Sequence, residues 1–558
     1  MQYGGIEKEI TSLVENSLKL AFASHSIDLP SSEKIKIELE FPKDRSHGDI
    51  STNIAMKLCS VFKSRPIDLA NIITEGINKE ISLSKGSIGK VEAKNPGFIN
   101  FFLSPDYLMR VLLDIKKSGN NYGRSRSGGG ARLQVEFVSA NPTGPLTIAH
   151  GRQAAIGDSL ANILEFTGYR VTREYYLNDE GTQMNILGLS VQARYRGLLG
   201  MEEKFPEDGY KGAYIYDIAK GFKARYGNRF AGLEDIKPFR EFGLKWLLKD
   251  IRNDLKEFGV KFNVWYSQKK LGSSGKVARA LDLLKEKGYI FEKEGAIWFR
   301  STDFGDDKDR VVIKTDGSKT YLAPDIAYHL EKYRRGFSRI IDIWGPDHHG
   351  YIPRMKAAIQ ALGFSKDSID VLIVQLATLY KGGAVVSRST RAGEFITLRE
   401  VREEVGKDVA RFCFIMRRLS SHLDFDLDVV KKESMENPVY YIQYAHARIW
   451  SILGKGKSSL KKAAFDPKLL SSPEETALLR ALSQFPTAVQ LSAKMLEPYT
   501  VLQYLEDLAG LFHSFYNKHR VVSDDPCLTR ARLVLVDGVR VVLGNGLRLL
   551  GVSLPKKM

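Results

Sequence analysis

A strand–loop–helix–strand pattern that occurs twice constrains the fold of this chain more than any other feature of its sequence. The segment 133–138 (LQVEFV) is typical of a short buried strand, and after a loop and a helix the next strand follows at 169–177 (YRVTREYYL). The same order returns between 339–345 (RIIDIWG) and 371–376 (VLIVQL). This alternation predicts βαβ units, whose strands run parallel in one sheet with helices on its faces.

The rest of the chain differs in pattern, which predicts separate domains. In 1–117, apolar residues at helical spacing are combined with strand-like segments, as in a compact α+β unit. Residues 118–132 are rich in Gly, Ser and Arg and have no apolar period, which is typical of a linker. Helical spacing dominates 437–558. The expected fold is therefore multidomain: an N-terminal α+β domain, an α/β Rossmann-like domain over 133–436 with an insertion near 190–300, and an all-α C-terminal domain.

Charge and composition limit the partners and the compartment. Lys and Arg number 83 against 66 Asp and Glu, a formal net charge of +17, which favours a polyanionic partner such as nucleic acid; a solvated basic surface is the alternative. The cysteines Cys59, Cys413 and Cys527 are far apart, so neither a disulfide framework nor a CxxC zinc site is expected. The chain has neither the charge order of a signal peptide nor the roughly 18 uncharged apolar residues in a row that cross a membrane. We expect a cytoplasmic protein without membrane contact.

The loop between the first strand and the first helix of this sheet carries the strongest signal for chemistry. It reads SANPTGPL (139–146), and two prolines and a glycine restrict its shape. Ligands of open α/β sheets bind beyond the carboxyl ends of the strands, where the amides of a helix start attract phosphate. His150 at that helix start can donate to a phosphate oxygen, and Arg152 is close by. From these residues alone, a loop that only turns the chain and a histidine that caps the helix remain an alternative.

This segment also carries a resemblance to a known family. SANPTGPLTIAHGRQAAIGD (139–158) resembles the first signature of arginyl-tRNA synthetases, class I enzymes in which it reads S-A-N-P-T-G-P-L-H-I-G-H. Further blocks resemble parts of the same enzymes in the same order, at 47–58, 95–104, 304–332, 344–363, 391–398, 421–428 and 436–449. The resemblance covers nearly the whole chain and is weakest across 195–260. It implies a class I catalytic domain followed by a helical anticodon-binding domain.

Two departures from the family pattern affect the triphosphate side. In the motif that reads HIGH in the family, Thr147 replaces the first histidine and Ala149 the glycine, whereas His150 retains the second histidine, which contacts ATP phosphates in the family. The family's KMSKS loop falls on 387–391, where both lysines are absent. The cations that remain near this loop are Lys381, Arg388 and Arg391. A catalytically silent tRNA-binding paralogue is the alternative that these departures leave open.

The resemblance implies a role for each residue that matches a family motif. Catalytic roles fall on His150, Thr147, Arg388, Ser389 and Arg391. ATP-binding roles fall on Ala140, Asn141, Pro142, Thr143, Gly144, Pro145, Leu146, Ile148, Ala149, Gly345, Asp347 and His348. Arginine-binding roles fall on Glu136, Ser139, Asn141, Tyr321, Asp325 and Gln375, and tRNA-binding roles on Tyr440, Tyr444 and Arg448.

The arginine-binding set also has a physical basis. A guanidinium group requires carboxylates in bidentate geometry and flat or hydrogen-bonding neighbours. Tyr321 and Asp325 are four residues apart on a helical stretch, a spacing that lets both face one cavity. Without the family, Asp325 as a helix N-cap and Tyr321 as a core residue remain alternatives.

The tripeptide Asp347-His348-His349 does not predict a metal site. Adjacent residues at a strand end point to opposite faces, so the two histidines are poor partners for one ion. We expect no protein-bound metal, and the resemblance implies that this block lies at the adenosine side of the nucleotide.

The aromatic and basic residues Tyr440, Tyr444 and Arg448 lie at helical spacing in the C-terminal region. Such residues can stack unpaired bases and hold phosphates, but the same spacing is also typical of a helix core. The resemblance favours an anticodon-binding surface for the group.

Together the motifs imply the ligation of L-arginine to tRNA(Arg). ATP, accompanied by Mg²⁺, activates arginine as the adenylate, and the arginyl group then passes to the 3′-terminal ribose of tRNA. The carboxylate of arginine is the nucleophile, so neither a protein nucleophile nor a tightly bound cofactor is expected. The family also implies that tRNA must be present before arginine is activated, and we expect a monomer. A class I synthetase for another amino acid is a further alternative.

Overall fold

The computed structural model describes residues 5–24, 36–40, 42, 44–82, 86–202, 204–386, 396–432, 436–456 and 466–558. Its N-terminal part is an antiparallel sheet with helices packed against it. The elements are α1 (Gly5–Ser24), β1 (Leu39–Glu40), β2 (Ile50–Thr52), α2 (Ile54–Leu58), α3 (Pro66–Ser82), β3 (Ile88–Lys94), β4 (Phe98–Leu103) and α4 (Pro105–Ser118). The strands hydrogen-bond in the order β1-β2-β4-β3, and α1 packs on α3 through buried apolar side chains such as Ile10, Val14, Ile73 and Ile77. The α+β prediction is confirmed for this part of the chain.

The central part is built on a parallel sheet. Its first elements are β5 (Arg132–Glu136), α5 (Ile148–Phe166), β6 (Arg170–Leu177), α6 (Thr182–Leu198), α7 (Ala213–Tyr226), α8 (Lys237–Glu257) and β7 (Val264–Ser267). They are followed by α9 (Gln268–Ser273), α10 (Lys276–Glu286), β8 (Ile290–Lys293), β9 (Ala296–Phe299), β10 (Arg310–Ile313), α11 (Leu322–Arg334), β11 (Arg339–Trp344), α12 (Ile352–Leu362) and β12 (Ile369–Ile373). The parallel strands lie in the order β12-β11-β5-β6-β7. The predicted α/β fold is confirmed.

The segment predicted as an insertion near 190–300 is divided in two by a strand of the central sheet. Before that strand, α6, α7 and α8 enclose a separate apolar core that includes Leu187, Ile215, Phe222 and Phe239. The strand itself, β7, pairs in parallel with β6. After it come α9, α10 and an antiparallel sheet of order β10-β9-β8. β7 has only four residues, and all of them are half-buried. So short a segment gives little strand pattern in the sequence.

Beyond the parallel sheet the chain becomes mainly helical. A small sheet of order β14-β13-β15 and short helices come first: β13 (Ala377–Lys381), β14 (Ala384–Val385), α13 (Leu398–Val405), α14 (Lys407–Ile415), β15 (Leu423–Asp426) and α15 (Leu427–Val430). The C-terminal helices are α16 (Pro438–Lys455), α17 (Pro473–Met495), α18 (Tyr499–Lys518) and α19 (Pro526–Leu549). The predicted all-α C-terminal region is confirmed. Across the described ranges, the helices lack the combination of length and apolar character that a bilayer crossing requires.

The residues expected to be a linker, 118–132, are packed against the C-terminal helices. The side chain of Tyr122 is buried, and its hydroxyl donates to the carbonyl of Leu482 on α17 at 2.9 Å. Asn545 on α19 donates from Nδ2 to the carbonyls of Gly119 and Tyr122, each at 3.0 Å. Because buried backbone groups of this segment are hydrogen-bonded to the helical region, the segment holds the regions together rather than separating them.

A buried arginine joins the parallel-sheet region to the end of the chain. Arg411 on α14 donates to Asp158 Oδ2 at 2.7 Å, to the carbonyl of Leu550 at 3.1 Å and to the carbonyl of Phe258 at 3.2 Å. Gly551 has a φ of +69°, and a Cβ at this position would lie 2.2 Å from Arg411 Nη2, so a glycine is required there. These contacts press the C-terminal region against α5, the helix that follows the signature loop.

Candidate active site

Three buried carboxylates lie side by side in the parallel sheet. Glu136 on β5 is in register with Asp342 on β11 and with Glu174 on β6. Residues in register on parallel strands point to the same face, and these side chains are 7%, 1% and 0% exposed, respectively. Because like charges that are close together disfavour ionisation, such a row requires cations next to it.

Helix α11 and the residue that follows it supply those cations. Lys332 Nζ lies 2.7 Å from Glu136 Oε2 and 2.8 Å from Asp342 Oδ1. Arg335 donates from both terminal nitrogens to Glu174, at 2.5 and 2.8 Å. Burial alone would lower the pKa of Lys332, but the adjacent carboxylates raise it above its usual value, so this side chain is charged at neutral pH.

Asp325, two turns before Lys332 on α11, extends this network. His329 connects Asp342 to the backbone of Asp325: its Nε2 is 2.8 Å from Asp342 Oδ2, and its Nδ1 is 2.8 Å from the carbonyl of Asp325. The carboxylate of Asp325 accepts a hydrogen bond of 2.6 Å from the hydroxyl of Tyr351. Burial raises the pKa of Asp325, whereas the Tyr351 hydrogen bond opposes that shift. Tyr321 occupies the N-cap of α11, so the N-cap alternative for Asp325 does not hold.

Tyrosine rings border the same groups. Tyr176 on β6 and Tyr266 on β7 pack against Tyr328 of α11, with ring centroids 4.4 and 4.8 Å apart. The hydroxyl of Tyr328 lies 2.8 Å from Glu136 Oε2 and 2.6 Å from Glu174 Oε1, so one proton is shared by two carboxylates. Burial and nearby carboxylates raise the pKa of Tyr176. Flat rings beside carboxylates suit a guanidinium or an ammonium group.

The network as a whole has a surplus of acidic groups. Its carboxylates are Glu136, Glu174, Asp325 and Asp342, and its permanent cations are Lys332 and Arg335. His329 has an acceptor at each ring nitrogen, so a doubly protonated ring would count as a third cation. Four carboxylates exceed even three cations, which leaves room for a cationic ligand that would relieve the remaining repulsion.

Ser139 connects the signature loop to this network. Its Oγ donates to Glu136 Oε1 at 3.0 Å and accepts from the amide of Tyr176 at 3.0 Å. The φ angles of Val138 and Ser139 are +68° and +37°, a left-handed conformation that non-glycine residues rarely adopt. Strain of this kind is concentrated at functional turns, where the surrounding contacts impose it.

Three expected arginine-binding residues lie away from the buried network. Tyr321, at the start of α11, is 80% exposed. The tyrosine that contacts Asp325 in the structure is Tyr351. Asn141 is exposed in the signature loop. Gln375 follows β12 and is half-buried. Its main-chain N–H donates to the carbonyl of Leu419 at 3.0 Å.

The start of α5 is capped by two of the expected catalytic residues. Thr147 is the N-cap, and His150 Nδ1 lies 3.1 Å from both its amide nitrogen and its Oγ1. Because the amide donates to Nδ1, the ring proton belongs on Nε2. Burial lowers the pKa of His150 to about 4, so the ring is neutral at pH 7. His150 therefore caps the helix through Nδ1 and presents a neutral Nε2–H donor.

Two tyrosine hydroxyls donate hydrogen bonds to the backbone of the signature loop. The carbonyl of Ala140 accepts from Tyr175 at 2.8 Å, and that of Thr143 accepts from Tyr214 at 2.7 Å. Of the expected ATP-binding residues in this stretch, the buried ones are Ala140, Pro142 and Leu146, and the half-buried ones are Thr143, Gly144, Pro145, Ile148 and Ala149. The loop therefore has a supported backbone at the carboxyl edge of the sheet.

Arg152 is a buried brace, so it does not face a phosphate as its position near the helix start suggested. Its Nη1 donates to the carbonyls of Gln375 and Leu376, at 2.7 and 3.2 Å, and its Nη2 to those of Arg418 and Ser421, at 3.1 and 2.9 Å. Burial lowers the pKa of Arg152 to about 10, which leaves it charged at neutral pH. With four carbonyl acceptors, its guanidinium is committed to joining α5 to these two backbone segments.

The second signature loop is the segment 387–391, which matches the family's KMSKS loop. The chain that follows it is hydrogen-bonded to the end of the first signature loop. Outside the described residues are Arg388, Ser389 and Arg391. Immediately after them, Leu398 N donates to the carbonyl of Leu146 at 2.8 Å, and Ile148 N donates to the carbonyl of Ile396 at 3.3 Å. The chain that leaves the second loop therefore lies against the start of α5.

Lys381, a further cation considered for the second loop, is paired at the base of that loop. Its Nζ lies 2.7 Å from Glu404 Oε1, which also accepts from Lys431 Nζ at 2.7 Å. A lysine that shares a carboxylate in this way has less charge available for a triphosphate.

The remaining expected nucleotide residues follow β11 at the same edge of the sheet. Gly345 precedes a 3-10 turn, Pro346–Tyr351, that contains Asp347 and His348. The side chains of Asp347 and His348 are exposed and lie 3.4 Å apart. Among the residues that the structure describes, no group of three or more His, Cys, Asp or Glu side chains is arranged to hold a metal ion.

The three expected tRNA-binding residues share one face of α16. The rings of Tyr440 and Tyr444 stack with centroids 5.9 Å apart, and the guanidinium of Arg448 lies 4.9 Å from the ring centroid of Tyr516. All are half-buried. Arg448 also borders a groove of about 480 Å³ that includes Lys455, Lys518, His519 and Arg520. Lys518 and His519 pair with Glu474, so part of the charge in this groove is already compensated.

The side chains that support Glu136 and Asp325 are not identified by the sequence patterns. The signal that could have revealed them is an acidic residue within an otherwise apolar strand, as with Asp342 in RIIDIWG, because an acid is rarely buried without a partner. Those missed are Glu174, Tyr176, His329, Lys332, Asp342 and Tyr351.

Comparison with known proteins finds matches along nearly the whole chain. Family models match for the arginyl-tRNA synthetase N-terminal domain at 8–103, the class I (R) tRNA synthetase catalytic domain at 112–415 and the DALR anticodon-binding domain at 442–558. The arginine–tRNA ligases of Bacillus subtilis and Desulforamulus reducens are 47% and 46% identical, and in each case the match covers 99% of this chain and 100% of the relative. A crystal structure of a putative arginyl-tRNA synthetase from Campylobacter jejuni is 35% identical, with a TM-score of 0.76 over 82% of this chain and 100% of that one.

The half-buried histidine at the start of α5 predicts a defined acid sensitivity. An unfolded histidine titrates near 6.5, whereas the folded-state pKa of His150 is about 4. Between these pH values the unfolded chain binds a proton that the folded chain does not, so the free energy of unfolding falls as the pH falls. We expect His150→Asn to lose less stability than the wild type between pH 7 and pH 4.5, measured by urea unfolding at both pH values. Identical losses in the two proteins would contradict the assignment of a buried neutral ring.

Proposed function

The chain belongs to the arginyl-tRNA synthetase family and is an arginine–tRNA ligase, and we propose that it holds arginine between Glu136 and Asp325. The reaction has two steps. The carboxylate of arginine attacks the α-phosphorus of ATP and pyrophosphate leaves; a terminal ribose hydroxyl of tRNA then attacks the arginyl carbonyl and AMP leaves. Since the substrates provide both nucleophiles, the protein has to position them and stabilise charge.

The observation that supports this arginine site is the acidic surplus of the α11 network. In our proposal, Glu136 Oε1, together with Ser139, receives the α-amino group. The guanidinium lies against the carboxylate of Asp325, beside aromatic rings that include Tyr351. Asn141, Tyr321 and Gln375, which lie outside the buried network, are proposed to contact arginine from its open side.

ATP is proposed to lie along the signature loop and the start of α5. There His150 offers a neutral Nε2–H donor to a phosphate oxygen, and its Nδ1 hydrogen bond to Thr147 orients the ring. The loop residues are proposed to contact the nucleotide on one side, and Gly345, Asp347 and His348 on the other. Arg388, Ser389 and Arg391 of the second loop are proposed to act on the triphosphate of ATP. Mg²⁺ is proposed to arrive with the phosphates of ATP, which is its usual mode of binding, and no tightly held cofactor is needed.

The C-terminal helices are proposed to bind the anticodon arm of tRNA(Arg). Support comes from the stacked rings of Tyr440 and Tyr444 and from the basic groove beside Arg448, because stacking and phosphate contacts are how single-stranded RNA is held. The net charge of +17 supports binding that weakens with salt. We also propose a monomer that acts in the cytoplasm without membrane contact, with domain bounds at 1–117, 118–132, 133–436 and 437–558.

A chain of contacts supports coupling between the tRNA-binding helices and the arginine site. Glu497, between α17 and α18, accepts from the amide of Leu419 at 3.3 Å. The carbonyl of the preceding residue, Arg418, accepts from Arg152, which also holds the backbone of Gln375. We propose that tRNA binding at the helical region acts on the arginine site through this path.

Loss of one carboxylate should affect arginine and leave ATP unaffected. We expect Asp325→Asn to raise KM for arginine at least about tenfold, since a charge-assisted hydrogen bond is lost, and to leave KM for ATP unchanged in an aminoacylation assay. Citrulline, isosteric but uncharged, should be a poor substrate of the wild type. Glu331→Gln, on the same helix but paired with Lys276 and Arg334, is the matched control and should behave as the wild type. Equal use of citrulline and arginine, or an unchanged KM in Asp325→Asn, would refute the proposed site.

Activation of arginine should depend on tRNA through Glu497. We expect negligible arginine-dependent pyrophosphate exchange without tRNA(Arg) and clear exchange when it is added. Glu497→Ala should reduce that stimulation by about tenfold, within the usual size of a coupling free energy, while tRNA affinity at constant salt stays the same. Asp537→Ala, which removes another acid of the helical region that pairs with Arg540, should retain full stimulation. Substantial exchange without tRNA would contradict the coupling, and full stimulation of Glu497→Ala would rule out this path.

A further inference from the structure

The two oxygens of Glu136 have different partners. Oε2 faces the Nζ of Lys332 at 2.7 Å and the hydroxyl of Tyr328 at 2.8 Å. Oε1 has one partner among the described residues, the hydroxyl of Ser139 at 3.0 Å. A carboxylate held by strong donors on one oxygen has a defined orientation, and its other oxygen keeps acceptor capacity.

Lys332 is itself held by a second anchor. Its Nζ lies 2.8 Å from Asp342 Oδ1, and the other oxygen of Asp342 lies 2.8 Å from His329 Nε2. The opposite nitrogen of that ring lies 2.8 Å from the main-chain carbonyl of Asp325. Lys332 is 0% exposed, so water does not compete for its protons. The contacts therefore run without a break from the backbone at Asp325 to the carboxylate of Glu136.

The same helix carries both ends of this chain of contacts. Asp325 and Lys332 are seven residues apart on α11, which is close to two helical turns and places them on the same face. Because the helix is rigid, the orientation of Glu136 is tied to the position of the Asp325 carboxylate by one secondary-structure element.

We propose that Lys332 is a positioning residue for the amino acid: it clamps Oε2 of Glu136 so that Oε1 faces the α-amino group of arginine. This inference rests on the proposed role of Glu136 in the arginine site. Lys332 does not touch the substrate, and its effect is exerted through Glu136. Tyr328 assists by donating to the same oxygen. Loss of the clamp lets the carboxylate rotate away, which weakens arginine binding but leaves the nucleotide side unchanged.

Two variants test the clamp on the full-length protein. We expect Lys332→Met to raise KM for arginine about tenfold, equivalent to 1.4 kcal/mol, with KM for ATP unchanged in aminoacylation. Since Lys332→Met leaves buried carboxylates with one cation fewer, it is paired with the milder Tyr328→Phe, which removes the neutral hydroxyl that lies on Oε2 of Glu136 and on Oε1 of Glu174. For this variant we expect a rise in KM for arginine of about threefold, or half that free energy. The matched control is Tyr333→Phe, which removes a hydroxyl of the same helix that bonds to Ser368 and should leave both KM values unchanged.

A double-mutant cycle separates positioning from general loss of structure. If Lys332 acts through Glu136, then in a Glu136→Gln background Lys332→Met should add little to KM for arginine, whereas independent effects would multiply. Where Lys332→Met does not yield folded protein, Tyr328→Phe in the same cycle decides. Effects that multiply, or unchanged KM for arginine in both variants while Glu136→Gln raises it, would overturn the clamp. An unchanged KM in Glu136→Gln itself would instead refute the proposed arginine site on which the inference rests.

Discussion

The ion pair between Lys332 and its two carboxylates, Glu136 and Asp342, is the interaction on which the proposed arginine site depends. Neighbouring strands of a parallel sheet bring residues in register to one face, and here that register places acids on three adjacent strands. Such a row is unfavourable unless cations lie against it, so helix α11 has to pack with Lys332 over the centre of the sheet. The same packing brings Asp325 to the proposed site, because Asp325 and Lys332 lie on one face of α11. Truncating Lys332 would leave an uncompensated buried charge, which typically costs about 3–5 kcal/mol.

Backbone hydrogen bonds join the start of α5 to the chain that follows the second loop. Leu398 N donates to the carbonyl of Leu146, and Ile148 N donates to the carbonyl of Ile396. Further along α5, Arg152 binds four carbonyls that belong to the segments around Gln375 and Arg418. Each buried donor of this arrangement has to keep its acceptors, so a shift at one end would displace the other. We propose this arrangement as the physical basis on which the helical region influences arginine activation.

Much of the fold followed from local pattern, whereas the supporting network of the site did not. The βαβ alternation predicted the parallel sheet, and the SANPTGPL segment led to the loop at its carboxyl edge. Periodicity could not reveal that Glu136, Glu174 and Asp342 stand in register, because register between strands is decided by contacts far apart in sequence. For the same reason, the position of Arg152 close in sequence to a candidate phosphate site does not reveal that its guanidinium binds four main-chain carbonyls. Lys332 resembles any helical surface lysine until its strand partners are known.

Residues that contact each other only across the fold thus decide how the site works, while the motifs decide where it lies. His150 illustrates both: its motif identified it, but its hydrogen bond to Thr147 and its buried surroundings determine its tautomer and charge. Helical spacing does not reveal Tyr351, which contacts Asp325 from another segment of the chain.

The most direct test of this account is a crystal structure of the protein with L-arginine bound. We expect the α-amino nitrogen of arginine to lie about 3 Å from Glu136 Oε1, with Oε2 still bonded to Lys332 and the guanidinium against the Asp325 carboxylate. An arginine whose α-amino group is bound elsewhere, with Glu136 making no contact to it, would contradict the central claim.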